Sequence, residues 1–216
     1  MSYKNLAGYL LTIAPIVALL IFIVVWEALI GRPDSDLVGE ALIKANLELY
    51  SDSMITTKIV AALGGAGMIA MMLGYMFWAR LLQGEGTMAG TLATVSAITM
   101  PLAAAAMLVS MDFNFASAGA WEKDDMANAY TLSAIGEYAG STFMWAFISL
   151  SICFTALASA LQSADKITMY VSGLLSIVAL ALLVTWFANI EVGFIVFMLM
   201  MLLTVVSGIN LIRQKA

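Results

Sequence analysis

The stretch from Thr56 to Arg80, TTKIVAALGGAGMIAMMLGYMFWAR, constrains this chain more than any other. No charged residue lies between Lys58 and Arg80, and at about 1.5 Å per residue the segment between them covers roughly 30 Å as a helix, one hydrocarbon thickness. In lipid every backbone N–H and C=O must be satisfied within the segment, so a helix is the form expected. The helix has two unlike faces. Ala62, Ala66, Ala70 and Gly74 recur every fourth residue, a stripe that lets a neighbouring helix backbone come close. Met68, Met72 and Met76 recur at the same spacing on the roughly opposite side. One close-packing face and one soft face predict a central helix with neighbours on both sides.

The rest of the chain has the same character. It is 63% hydrophobic and only 11% charged, with a mean hydropathy of +1.00, too little charge to cover a water-exposed surface. An integral membrane protein is the class that remains, with membrane lipids around it and the cell membrane as its expected location. The net charge of -5 and the lack of any Lys/Arg cluster argue against a nucleic-acid partner. A single cysteine, Cys153, allows no intramolecular disulfide. With no histidine, the commonest general base and the commonest haem, zinc and copper ligand is missing.

Hydropathy predicts an all-α, six-transmembrane-helix bundle in a single domain, with spans at about 6–30, 58–80, 88–111, 138–161, 167–187 and 191–212. The apolar run from Leu6 to Trp26 exceeds the roughly 7–15-residue core of a secretory leader, so it is expected as a retained first span. Pro15 inside it is expected to kink the helix or to sit where a neighbour repairs the lost hydrogen bond. Two polar connections follow spans one and three, at 32–57 and 112–136. In the first, Asp34, Ser35 and Asp36 offer N-cap oxygens to a short surface helix reaching about Tyr50. Gln83-Gly84-Glu85-Gly86 and Ser163-Ala164-Asp165-Lys166 read as tight turns. The short connections and termini carry Lys4, Arg80, Lys166, Arg213 and Lys215 close to span ends, whereas Arg32, Lys44, Lys58 and Lys123 sit in or beside the long connections. The positive-inside rule then predicts N-in and C-in.

Several residues are candidates for more than architecture. Glu27 is the one acid well inside a predicted span, which makes a proton or cation role a hypothesis; the favoured expectation is an interfacial carboxylate or an intramembrane ion pair with Lys58. Glu137 and Glu191 are expected at the N-termini of spans four and six, where the positive end of the helix dipole favours an acid. Asn210, in span six, is expected to hydrogen-bond between helices. Asp124 and Asp125, with Glu122 and Asp112, miss the D-x-[DN]-x-[DN]-G calcium pattern and read as a solvated acidic surface. Trp26, Trp78, Trp121 and Trp186 fall near span ends as interfacial anchors do, with Trp145 deeper.

Met68, Met72 and Met76, joined by Met107 and Met111, give a spacing that resembles the M-x-x-x-M pattern of copper-transporting membrane proteins, and thioethers do select Cu(I). In a chain with sixteen methionines and no histidine, gap-filling is the stronger reading, and neither a metal nor any other cofactor is expected. No GxSxG, Walker A, HExxH or CxxC motif occurs. The expectation for function is therefore a non-catalytic membrane subunit or scaffold that packs against lipids and other membrane protein subunits. The alternative is a transporter or channel for a small neutral or weakly charged solute, and an enzyme is the least expected class.

Overall fold

In the computed structural model, residues 2–34, 36–137, 143–188 and 192–214 are described. Among them the chain is all-α, and six helices are long and apolar enough to cross a membrane. The elements are α1 (Tyr3–Leu29), α2 (Glu40–Asp52), α3 (Met54–Leu81), α4 (Met88–Trp121), α5 (Met126–Glu137), α6 (Trp145–Gln162), α7 (Lys166–Phe187) and α8 (Gly193–Arg213). All but the short α2 and α5 are the membrane-spanning candidates.

Lipid as the solvent is legible on α7. Leu175, Val178, Ala179 and Leu182 are buried, while Ile167, Tyr170, Leu174, Ile177 and Val184 lie exposed on the other side. A helix in a water-soluble protein would set polar residues there; one that is apolar all round belongs in a membrane.

The chain forms two compact units. The first comprises Met1–Ile16, Gly67–Ala104 and Met144–Ala216. Its helices meet through small and hydroxyl-bearing residues, as expected where lipid supplies no hydrophobic drive between helices. A Cβ built on Gly208 of α8 would lie 2.7 Å from the Gly8 carbonyl oxygen of α1, so these two backbones touch only because both residues are glycine. Gly74 of α3 has Leu10 and Leu11 of α1 at 3.0 Å from the same construction. The hydroxyls of Ser96 and Thr99 on α4 bond to Ser151 and Thr155 on α6. Ser172 and Ser176 on α7 reach Ser159 and Cys153 on α6. Trp145 of α6 lies 4.7 Å, centroid to centroid, from Trp186 near the end of α7.

The second unit comprises Val17–Ala66 and Ala105–Phe143. Here α1 winds as a π-helical turn over Leu20–Val25 and closes at Gly31, whose N–H donates to the Trp26 carbonyl and whose φ of 87° favours glycine. The surface helix expected after it is present as α2, but it starts at Glu40. Its cap is Gly39, at φ 59°, with no side-chain bond, in place of the expected aspartates. Trp26 meets the Tyr50 ring of α2 edge-on at 5.8 Å.

The second polar connection is mostly helix. The 34 residues of α4 reach about 50 Å, well past one hydrocarbon thickness. Asp112 and Asn114 are therefore helical, and α5 packs back antiparallel: Ser110 donates to the Gly136 carbonyl at 3.0 Å and Ser117 to the Ala129 carbonyl at 2.6 Å. Asp124 makes the reversal at φ 59°, a conformation aspartate tolerates, and Asp125 caps α5 through Asn128. Two of the four acids weighed as a cation site are thus turn and cap residues.

Candidate functional site

Five helix ends of the first unit line an open-sided cavity of about 330 Å³, at the lower limit of small-molecule sites. The last turn of α3 contributes Trp78, Leu81 and Leu82, and the end of α6 contributes Ser159, Gln162 and Ser163. Thr168 and Ser172 come from α7, and Ser207, Asn210, Leu211 and Gln214 from the end of α8 and beyond. Lys4 comes from the start of α1. The Gly8–Gly208 contact fixes how closely α1 and α8 can approach beside it.

Most polar groups around this cavity are committed. Asp165 caps α7, accepting from the Thr168 N–H and the Thr168 hydroxyl, each at 2.8 Å. The backbone N–H of Thr168, followed by its hydroxyl, holds the Asp165 carboxyl below its ordinary range. Because the Thr168 hydroxyl donates to Asp165, it is the acceptor for the Gln214 side-chain amide at 3.1 Å. Ser172 donates to Ser159 at 3.1 Å, Gln162 donates to the Leu82 carbonyl at 2.8 Å, and the Lys4 ammonium donates to the Gln214 carbonyl.

Two groups are not committed. Ser207 Oγ and Asn210 Nδ2 are fully enclosed and have no hydrogen-bond partner; Ser207 is only 3% exposed. Among the described residues only one further side-chain atom, Ser149 Oγ, shares this condition. A buried unpaired donor costs about 1–3 kcal/mol, and both residues are among those lining this cavity. The interhelical hydrogen bond expected of Asn210 is not made by its Nδ2.

The other candidates fall elsewhere. Glu27 does not pair with Lys58. It bonds Arg32 at 2.8 Å, because Gly31 turns the chain back over the last turn of α1, and both side chains are more than half exposed. Lys58 instead lies 6.0 Å over the Phe115 ring, a cation–π distance. Glu137 is the last residue of α5, and the start of span four, where it was expected, lies outside the described residues. Glu191, like Lys215, lies outside the described residues.

The small-residue stripe of α3 divides. Gly74 packs closely and Ala70 is half-buried, but Ala62 and Ala66 are exposed. The close approaches in the second unit use glycines outside the stripe: Gly64 lies under the Phe22 ring, and Gly65 lies under the thioether ends of Met107 and Met111. The space a Cβ would take at Gly65 is filled by sulfur and methyl, the gap-filling use of methionine. Met68 and Met72 are buried and Met76 half-buried, so the methionine face of α3 is packed rather than exposed. Sequence reasoning passed over Lys4, Ser207 and Gln214; the signal available was the recurrence of Gly208, Ser207, Asn210 and Gln214 within two turns of an otherwise apolar span. No protein-family model, no curated protein and no solved structure matches the chain.

Proposed function

We propose that this chain is a non-catalytic multi-pass protein of the cell membrane that takes a small polar solute into the cavity between α3, α6, α7, α8 and the start of α1, as a transporter or receptor does. One observation carries the reading: Ser207 Oγ and Asn210 Nδ2 are buried without partners in the wall of a cavity of ligand size. The lining supports binding over chemistry, for it offers hydroxyls, amides and one amine and no carboxylate or imidazole to move a proton. On the N-in, C-in reading the cavity would open toward the cytoplasm. The test is thermal unfolding of the purified protein against a panel of amino acids, sugars, nucleosides and phosphate esters. At least one class should raise the midpoint by several degrees in the native chain and have no effect on Ser207→Leu, whose side chain fills the site. A panel without effect, together with a Ser207→Leu variant more stable than the native chain, would make the cavity a packing defect.

A second reading, an accessory subunit or scaffold beside other membrane proteins, is favoured by the exposed half of the α3 stripe. Ala62 and Ala66 present a surface that a partner helix could approach closely. Native mass spectrometry after mild extraction tests it: a fixed co-purifying chain, lost on Ala62→Phe, is the result it requires.

A further inference from the structure

We infer that Gln214 is a latch at the mouth of this cavity, and that its release opens the way to Ser207 and Asn210. The lining is graded: Gln162 and Gln214 are exposed, whereas Ser159, Ser172 and Ser207 are buried. At Gln214 the chain leaves α8 in an extended conformation, φ -62° and ψ 118°. That one residue then bonds to three helices. Its backbone N–H donates to the Asn210 carbonyl of α8 at 3.1 Å, and its own carbonyl accepts from the Lys4 ammonium of α1. Its side-chain amide donates to the Thr168 hydroxyl of α7 at 3.1 Å, a bond whose direction is fixed because the Thr168 proton is spent on Asp165. Three helix ends are thereby tied at a residue that water reaches. One and two turns back along the same face of α8 lie Asn210 and Ser207. Their Nδ2 and Oγ atoms have neither a partner nor access to solvent. Unpaired donors weigh against the closed arrangement, and an arrangement that admits water or a solute to them recovers the missing bonds. The tie and the unsatisfied wall act in opposite directions, the balance that an element with two positions needs.

Thiol labelling of the full-length protein tests the latch. Ser207→Cys is a near-isosteric change that places a thiol at the sealed wall. The native Cys153, buried beside Ser176, is the internal control. A small water-soluble methanethiosulfonate is added in mild detergent, and the two thiols are followed separately by peptide mass spectrometry. Where opening is rare, the labelling rate follows the open population. Gln214→Met keeps the length of the side chain and removes its donor. It should speed labelling at position 207 about threefold, the factor for one interhelical hydrogen bond in a membrane, and leave Cys153 unchanged. Asn210→Cys, one turn nearer to Gln214, repeats the reading at a second position and should respond in the same way. Labelling at position 207 as fast as in a short cysteine peptide before Gln214 is changed would mean that nothing is latched. An equal rise at Cys153 would mean that Gln214 only holds the bundle together, and no rise at either thiol that it closes nothing; each of these results overturns the inference. The measurement reports access, whatever the cavity binds. A threefold rise at position 207 beside a thermal panel without effect would leave the latch standing and remove the solute reading alone.

Discussion

The Tyr75 hydroxyl on α3 lies 2.6 Å from Thr204 Oγ1 on α8, and both residues are completely buried. Thr204 spends its own proton on the Met200 carbonyl at 2.8 Å, so Tyr75 is the donor. That direction sets an order of costs. Tyr75→Phe removes one donor and leaves Thr204 bonded, which should cost about 0.6–1 kcal/mol, the range of interhelical hydrogen bonds in membranes. Thr204→Val strands the phenol hydroxyl in a dry interior and should cost about 1–3 kcal/mol. Thermal unfolding of the two variants in one detergent checks the order; a larger loss for Tyr75→Phe contradicts the assigned direction.

The Gly8–Gly208 contact makes a sharper prediction. A methyl at Gly208 would lie 2.5 Å from Thr12 Oγ1 and 2.7 Å from the Gly8 carbonyl oxygen, backbone that cannot turn aside. Gly208→Ala should therefore cost about 1–3 kcal/mol by forcing α1 and α8 apart. Gly173 in α7 has nothing within 4 Å of the same construction. Gly173→Ala should be neutral or stabilising by about 0.5–1 kcal/mol, because glycine loses more backbone freedom on entering a helix. The pair shares chemistry and differs only in surroundings, so equal midpoints for the two variants would dispose of the close approach.

Between α4 and α6 the hydroxyls form a chain with a defined direction. Ser96 donates to the Ser151 carbonyl at 2.7 Å, which leaves Thr155 as the donor to Ser96 at 2.6 Å. A double-mutant cycle of Ser96→Ala and Thr155→Val should return a coupling of about 0.6 kcal/mol, and no more than about 1.7. Coupling indistinguishable from zero would show that the two hydroxyls do not meet in the membrane.

What the sequence could and could not reveal follows from the range of each signal. Hydropathy is summed over a whole span, so the six crossings were readable from residues such as those between Lys58 and Arg80. The polarity of Asp112, Glu122 and Asp125 was also real, but it signals water outside the bilayer and does not distinguish loop from helix. This is why the helical hairpin of α4 and α5 was read as a connection. The Glu27–Arg32 pair depended on a positive φ at Gly31, which no side-chain pattern encodes. The cavity was the least legible feature. Lys4, Ser159, Thr168, Ser207 and Gln214 come together from four helices, and nothing local marks a serine whose hydroxyl lacks a partner.

Acid should act on the cavity wall through Asp165. Its folded-state carboxyl is held below the ordinary value of 3.8 by the Thr168 N–H and then the Thr168 hydroxyl. A group with a depressed folded value contributes stability that is fully present above the unfolded value and is lost as pH falls through the folded one. The α7 cap is accordingly unchanged from neutral pH down to about pH 5 and weakens only in stronger acid. Asp165→Ala removes the cap at every pH and frees the Thr168 hydroxyl that orients Gln214 at the cavity. The native chain should therefore unfold at a higher temperature than Asp165→Ala at pH 7 and at pH 5, with the gap closing below the ordinary carboxylate range. Unfolding midpoints measured from pH 7 to pH 2.5 check this, and a gap that closes already between pH 7 and pH 5 would mean that Asp165 is not held by Thr168.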